Sequence, residues 1–131
     1  VLLKNVLVGG LGWATDLAAH LEFMIVGGLI LFFLIVAGFT NVLSNNATAV
    51  LFTPVAVAAA QQAGIDEHIL VLTVIFGSNC SFATPIAYQT NLLVMGPGHY
   101  KFRDFMVVGG PLIILLWIVY TATASFYFGL N

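Results

Sequence analysis

The sequence predicts an all-α integral membrane protein, and its composition and charge placement carry this prediction. Of the 131 residues, 61% are hydrophobic and only 6% are charged, whereas about a quarter of the residues of an ordinary soluble domain are charged. No charged residue or histidine occurs in residues 23–65 or 69–98, and none follows Asp104. A membrane-spanning helix needs about 20 mostly apolar residues, so each of these stretches is long enough to hold one.

The same composition argues against several functions. With a formal net charge of −2, the chain lacks the excess of basic residues that is typical of a nucleic-acid-binding protein. A single cysteine, Cys80, excludes an internal disulfide framework. The histidines His20, His68 and His99 lack metal-ligand spacing, and no Ser–His–Asp set can be assembled. We therefore predict neither an enzyme nor an organic cofactor.

Residues 1–21 are weakly patterned, and we predict that they form the end of a preceding span and an interfacial helix. Glycines interrupt the apolar run, and Trp13 is of a type enriched at the membrane–water boundary. A short amphipathic helix is predicted over residues 14–21. The chain starts at Val1 without a methionine, so we expect a segment of a longer permease.

Residues 22–63 are predicted to form a re-entrant helical hairpin. Two apolar helical stretches, 23–39 and 47–63, flank a polar but uncharged turn. If both arms crossed the membrane fully, this turn would be a cytoplasmic loop, where the absence of charge is unusual. A hairpin entered from outside instead places the turn near the midplane, where protein, ions and water satisfy irregular backbone.

The remainder is predicted to form a broken transmembrane helix over residues 67–96 and a last transmembrane helix over residues 105–130. Residues 69–82 are apolar, and Thr84-Pro85 then interrupts the helix. Proline removes a backbone donor and clashes with the preceding turn.

The positive-inside rule predicts the orientation. Lys101 and Arg103 make the loop at residues 99–104 the only cationic one, which assigns it to the cytoplasm. The loop that carries Asp66 and Glu67 lies one span away and is therefore expected outside, as is the C-terminus.

Two polar constellations lie at membrane depth. The first comprises Thr40, Asn41, Ser44, Asn45, Asn46 and Thr48, and the second comprises Ser78, Asn79, Cys80, Ser81, Thr84, Pro85, Gln89, Thr90 and Asn91. Uncharged oxygens suit a weakly held cation such as sodium, and helix N–H groups suit an anion. A capped turn and a proline kink are the structural alternatives. The two together favour function, since polar clusters in a membrane are costly.

At these two segments the sequence resembles the divalent anion:sodium symporter family, within the citrate-transporter-like group of ion transporters. Residues 40–48, TNVLSNNAT, look like the family's Ser-Asn-Thr hairpin tip. Residues 81–91, SFATPIAYQTN, look like its second broken helix, and the glycine–proline turn at residues 96–98 follows. The resemblance runs from about Trp13 to the end and implies the C-terminal inverted repeat of a secondary transporter.

The resemblance also implies a sodium site. Carried over by position, sodium as the coupling ion would bind Thr40, Asn45 and the carbonyl oxygens of Leu43 and Ala87.

For the substrate, the resemblance implies that a carboxylate or sulfate meets Ser44, Asn45 and Asn46, with Thr90 nearby. Asn46 stands where the motif has threonine. Residues 88–91 replace the Thr-Pro-Pro-Asn of the dicarboxylate carriers. The Gln-Thr-Asn form resembles the branch with potassium-regulator-type soluble domains, which is often assigned to sulfate.

The leading hypothesis is secondary active transport of a small divalent anion, either sulfate or a di- or tricarboxylate, coupled to sodium. A proton-coupled carrier, a cation/proton antiporter or other ion permease of the superfamily, and a non-transporting structural subunit stay open. An antiporter is expected to need an intramembrane carboxylate, which this segment lacks. The expected partners are the anion, the lipid bilayer, the missing N-terminal repeat and a second copy in a homodimer. The expected location is a bacterial-type inner or plasma membrane.

Overall fold

The computed structural model describes the backbone of residues 2–127 and the side chains of residues 16–126 apart from 18, 19, 22 and 125. Within that range it contains five α-helices and no β-strand. They are α1 (Leu2–Thr40), α2 (Asn45–Ala63), α3 (Glu67–Ser78), α4 (Gln89–Met95) and α5 (Phe102–Tyr127). The all-helical prediction is confirmed.

Helix α1 is a single helix of 39 residues, and its length of about 58 Å is nearly twice the thickness of a bilayer core. The short helix predicted over residues 14–21 is therefore not a separate element. Glycine inside a helix costs about 1 kcal/mol, which weakens a helix without ending it when apolar flanks continue it. The interfacial position of residues 1–21 stays a prediction.

Helix α2 begins and ends with regular caps. The Ser44 side chain accepts a hydrogen bond from the Ala47 N–H at 3.2 Å. At the other end, Gly64 adopts a left-handed φ of 67°, which glycine reaches without strain. The helix continues through Pro54. Its start at Asn45 lies two residues before the predicted one.

The loop between α2 and α3 is polar and exposed. The Asp66 carboxylate caps α3 by accepting the His68 N–H at 2.9 Å, and the His68 ring lies 2.7 Å from the same oxygen. The backbone hydrogen bond, followed by the one from the ring, lowers the pKa of Asp66 from its ordinary value. The Asp66 carboxylate therefore stays charged at the start of α3.

Helix α3 is the centre of the packing and contacts both α1 and α2. Small residues allow the approach: a Cβ on Gly77 would lie 3.0 Å from Val36 of α1. The main buried cluster joins the three helices and consists of Leu29, Val36, Ala56, Ala60, Ile69, Leu70 and Val74. Helix α5 packs on α1, where the Trp117 indole N–H donates to the Ile30 carbonyl at 3.3 Å.

The helix predicted over residues 67–96 is interrupted in the structure. Helix α3 ends at Ser78, α4 begins at Gln89, and residues 79–88, here called the break, are non-helical. The first half was expected to reach residue 82 and ends four residues earlier. The Ser78 carbonyl, which would accept the Phe82 N–H if the helix continued, instead accepts the Thr40 hydroxyl at 2.6 Å.

Two segments of the described chain are long and apolar enough to cross a bilayer, Phe23–Thr40 and Phe102–Ala124. Helix α5 begins three residues before the predicted start, because the Asp104 carboxylate accepts the Lys101 N–H at 2.7 Å and caps it. Its predicted end at residue 130 lies outside the described residues.

Candidate ion-binding site

The candidate site lies where the turn between α1 and α2 meets the break. We call residues 40–44 the α1–α2 turn. Its first two residues are buried: Thr40 is fully covered and Asn41 is 7% exposed. Its later residues open to the surface, since Val42 and Ser44 are exposed. The turn therefore offers buried polar atoms on one side and accessible ones on the other.

Three oxygen atoms cluster at the buried side. Thr40 Oγ1 lies 2.6 Å from the Ser78 carbonyl oxygen and 3.0 Å from Asn45 Oδ1. A hydroxyl carries one proton, so it donates fully to only one of these acceptors. The structure thus brings together Thr40 and Asn45 of the predicted sodium ligands and adds the Ser78 carbonyl, to which the sequence analysis assigned no role. Uncharged oxygens of this kind are ligands of hard cations.

The other two predicted sodium ligands come from the same two segments. Leu43 lies in the α1–α2 turn and Ala87 in the break, where it is 1% exposed. Within the described chain, neither carbonyl oxygen accepts a hydrogen bond, so both retain free lone pairs. The structure gives no contact between them and Thr40, and their role as ligands stays a prediction.

The accessible side of the turn presents the start of α2. The N–H groups of Asn45 and Asn46 make no hydrogen bond within the described residues, while that of Ala47 bonds to Ser44. Free N–H groups at a helix N-terminus, with the positive end of the helix dipole, attract an anion. Thr90 is exposed on α4 and forms no side-chain hydrogen bond in the described chain, and its role beside the other predicted substrate ligands stays a prediction.

Asn41 joins the turn to the break. Its Nδ2 donates to the carbonyls of Ala37 at 2.6 Å and Cys80 at 2.9 Å. Its Oδ1 accepts the Ala83 N–H at 2.8 Å, and its own carbonyl accepts the Thr84 hydroxyl at 2.5 Å. One asparagine therefore satisfies backbone groups of two segments about 40 residues apart. The sequence analysis placed it in the first constellation without a function.

Asn91 holds the break from its other end. Its Nδ2 donates to the carbonyls of Ser81 at 2.9 Å and Thr84 at 3.1 Å. Irregular backbone at membrane depth requires such internal partners, since no water is present there to supply them. Asn91, a member of the second constellation, thus stabilises the break. The only sign of this role in the sequence was the presence of polar residues in an apolar stretch.

The chemistry of this region is uncharged throughout. The described residues contain no group of three or more His, Cys, Asp or Glu that could hold a metal. The acidic residues that flank the break in sequence, Asp66, Glu67 and Asp104, lie at the starts of α3 and α5. Any cation here would be held by neutral oxygens, which bind more weakly than carboxylates.

A cavity of about 350 Å³ lies beside the break, between α1, α3 and α5, and its lining includes Phe33, Phe76, Tyr120 and the break residues Asn79, Cys80 and Phe82. Its walls are almost entirely carbon. It fits neither an anion nor a hydrated cation, and we place the candidate site at the turn and the break instead.

Sequence comparisons show which proteins this chain is similar to. A family profile described as citrate transporter matches residues 14–129. An uncharacterized transporter of Synechocystis sp. is 41% identical over 103 residues, which is 79% of this chain and 17% of that protein.

Two further relatives have names that state a substrate. Sodium/sulfate cotransporter 1 of Chlamydomonas reinhardtii is 33% identical over 91 residues, covering 70% of this chain and 10% of the relative. Sodium-dependent high-affinity dicarboxylate transporter 3 of Caenorhabditis elegans is 31% identical over 90 residues, covering 66% of this chain and 16% of the relative. The chain thus spans less than a fifth of the length of each of these three relatives. No solved structure matches it significantly.

Proposed function

The chain belongs to the citrate transporter family of membrane proteins, and we propose that it forms the ion-binding part of a secondary transporter that moves a small divalent anion together with sodium. The observation that carries this proposal is the cluster of Thr40, Asn45 and the Ser78 carbonyl beside the free start of α2. The family consists of transporters, not enzymes.

For sodium, we propose the ligands Thr40, Asn45 and the carbonyl oxygens of Leu43 and Ala87. The contact between Thr40 and Asn45 supports this set. The nearby Ser78 carbonyl is a further oxygen within reach of the same position. A site that must load and release an ion benefits from neutral ligands, because a carboxylate would hold the ion more tightly.

For the substrate, we propose contacts with Ser44, Asn45 and Asn46, with Thr90 nearby. The unbonded N–H groups at the start of α2 support an anion here. The named relatives transport sulfate and dicarboxylates, so the substrate class is a divalent anion, with a tricarboxylate as a further member. A bound sodium ion next to this position would also compensate the negative charge of the substrate.

Helix lengths support a re-entrant hairpin. Helix α3 has 12 residues and α4 has 7, which gives lengths of about 18 Å and about 10 Å against a bilayer core of about 30 Å. The two halves together match one crossing, with the break at intermediate depth. Because Thr40 contacts Ser78 at the end of α3, the α1–α2 turn lies at that same depth and not at the opposite surface.

The proposed orientation follows the charges, with residues 99–104 in the cytoplasm and the C-terminus outside. An N-terminal repeat beyond this chain would complete the site, and a homodimer is the proposed assembly. A cation/proton antiporter is the second candidate, but the described site contains no carboxylate that would exchange protons. A structural subunit would bind neither ion.

The test is uptake by the full-length protein in proteoliposomes. Radiolabelled sulfate, succinate and citrate are each offered with an inward sodium gradient or with choline in its place. We expect uptake of at least one of these anions only with sodium. Uptake driven equally well by a proton gradient without sodium would contradict the proposed coupling, and no uptake of any anion would contradict the proposed substrate class.

A matched pair of variants locates the site. Asn45→Ala removes the amide oxygen next to Thr40 and is expected to abolish sodium-dependent uptake while leaving membrane insertion intact. Gln62→Ala changes an exposed amide at the other end of the same helix and should behave as wild type. Normal uptake by Asn45→Ala would refute the site assignment.

A further inference from the structure

We propose that Asn41 is a positioning residue, which fixes the break against the α1–α2 turn so that oxygens from both segments form one cation site. This inference rests on the proposed function, because it concerns the site proposed above for sodium. It adds a residue that binds no ion itself but sets the distance between those that do.

The amide of Asn41 has partners on both of its polar atoms. Both Nδ2 hydrogens go to backbone carbonyls, one in α1 and one in the break, and Oδ1 accepts an N–H from the break. The side chain is 7% exposed, so water does not compete for these bonds. A buried amide with every group satisfied defines a single geometry, since any shift leaves a polar group unpaired.

The bonds of Asn41 lie directly beside the proposed ligands. Thr40 precedes it in the turn, and Cys80, which it binds, follows Ser78 by two residues. The distance of 2.6 Å between Thr40 Oγ1 and the Ser78 oxygen therefore depends on how the two segments are held together. If the break moved away, it would take the Ala87 carbonyl with it and shift the Ser78 carbonyl at the adjoining end of α3, while Thr40 and Asn45 would stay in place.

Asn41 and Asn45 differ in what their side chains do. The Asn45 side chain contacts another proposed ligand, Thr40, whereas that of Asn41 contacts only backbone groups of Ala37, Cys80 and Ala83. Substituting Asn41 thus removes no proposed ligand. It is expected to weaken cation binding by separating the ligands, and a high sodium concentration should restore the site.

Two variants and one control test this on the full-length protein. Asn41→Leu keeps about the same side-chain size but loses both donors and the acceptor, and Asn41→Ala loses the same three bonds together with the volume. Gln62→Ala is the control, because that exposed amide lies at the end of α2 far from the break. The first measurement is the sodium concentration at half-maximal uptake, with choline keeping the ionic strength constant. The second is the alkylation rate of Cys80 by N-ethylmaleimide, followed by mass spectrometry of its peptide.

Cys80 reports on the break without any reference to transport, since it is 2% exposed and its carbonyl binds Asn41. In both Asn41 variants we expect Cys80 alkylation and the sodium midpoint each to rise about tenfold, the change that corresponds to the loss of a buried hydrogen bond. The maximal uptake rate at saturating sodium should stay near that of wild type, which a general folding defect would not produce. Gln62→Ala should leave both measurements unchanged.

The two readouts separate the possible failures. Equal Cys80 alkylation in the Asn41 variants and the control would overturn the connection itself. Faster alkylation with an unchanged sodium midpoint would overturn the positioning role. If wild-type uptake needs no sodium, the proposed coupling is wrong, and the positioning role for a sodium site falls with it, while Cys80 alkylation still decides whether Asn41 holds the break.

Should neither Asn41 variant reach the membrane, Thr84→Val replaces them. It leaves the Asn41 side chain in place and removes only the hydroxyl that donates to the Asn41 carbonyl. A smaller rise of both measurements supports the proposal, and no rise of either overturns it.

Discussion

Threonine side chains show most directly how single residues are used in this chain. Four helical threonines donate to the carbonyl four residues earlier at 2.6–2.8 Å, namely Thr53, Thr73, Thr121 and Thr123. This is the usual arrangement for a threonine inside a helix. Thr40 instead donates across to another segment, and the Thr48 hydroxyl is buried without a partner. These are the two exceptions among the buried threonines of the described chain, and both lie within four residues of the α1–α2 turn.

The exception at Thr40 predicts a specific loss. Thr40→Val keeps the shape of the side chain and removes the oxygen that contacts Ser78 and Asn45. We expect the sodium concentration at half-maximal uptake to rise tenfold or more, on the order of 1.4 kcal/mol in binding. Thr123→Val is the control, since its exposed hydroxyl bonds only to its own helix. Equal sodium dependence in the two variants would remove Thr40 from the site.

For Thr48, in contrast, we expect that removing the hydroxyl does not weaken the protein. A buried hydroxyl without a partner carries a desolvation cost of about 1–3 kcal/mol. Thr48→Val removes that cost and keeps the volume, so the purified full-length protein should unfold at the same or a higher temperature, as measured by differential scanning fluorimetry. A lower unfolding temperature would mean that the hydroxyl has a partner in the full-length protein.

At the scale of secondary-structure elements, the helix caps could be predicted from the sequence, whereas the interruptions between helices could be predicted only in part. Gly64 ends α2 and Asp66 begins α3 through bonds to their own neighbours, and local residues are enough to predict such ends. Pro85 correctly indicated an interruption. Its start at residue 79 could not be predicted, because the partner of the Ser78 carbonyl is the hydroxyl of Thr40, 38 residues earlier. The continuity of α1 was missed since the glycines suggested an end that the longer apolar run outweighs.

The contact between α5 and the break has a clear requirement for glycine. A Cβ on Gly109 would overlap the carbonyl group of Phe82, whereas a Cβ on Gly110 would meet no atom within 4 Å. The backbone of the break therefore contacts α5 directly at Gly109. The break is held on one side by Asn41 and on another by this close approach.

This pair of neighbouring glycines provides a controlled prediction. Gly109→Ala forces α5 away from the break and should lower the unfolding temperature and speed Cys80 alkylation. Gly110→Ala gains about 1 kcal/mol of helix propensity at no steric cost and should be neutral or stabilising. The two are compared by thermal unfolding of the purified full-length protein. Similar unfolding temperatures would show that the break does not press on α5 in the membrane.

For the molecule as a whole, the positions of charged side chains and of apolar surface indicate which residues lie in water and which lie in the bilayer. The described acidic side chains of the second half, Asp66, Glu67 and Asp104, lie at the starts of α3 and α5, while the exposed residues of α5 after Asp104 are mostly apolar. Composition was sufficient to predict this division. The site could be predicted only as two separate segments, because their contact depends on long-range packing that no local pattern encodes.

The depth of the α1–α2 turn decides between a hairpin and two full crossings, and it can be measured with single cysteines in a Cys80→Ala background. Lys101→Cys should react with a membrane-impermeant maleimide only in inside-out vesicles, and Glu67→Cys only in intact cells, as the charge rule requires. Val42 is 70% exposed at the turn, so its reactivity depends on where the membrane places it. A turn at the depth of the end of α3 predicts that Val42→Cys reacts much more slowly than Lys101→Cys in inside-out vesicles. Equal rates at these two positions would place the turn at the cytoplasmic surface and make both arms full crossings.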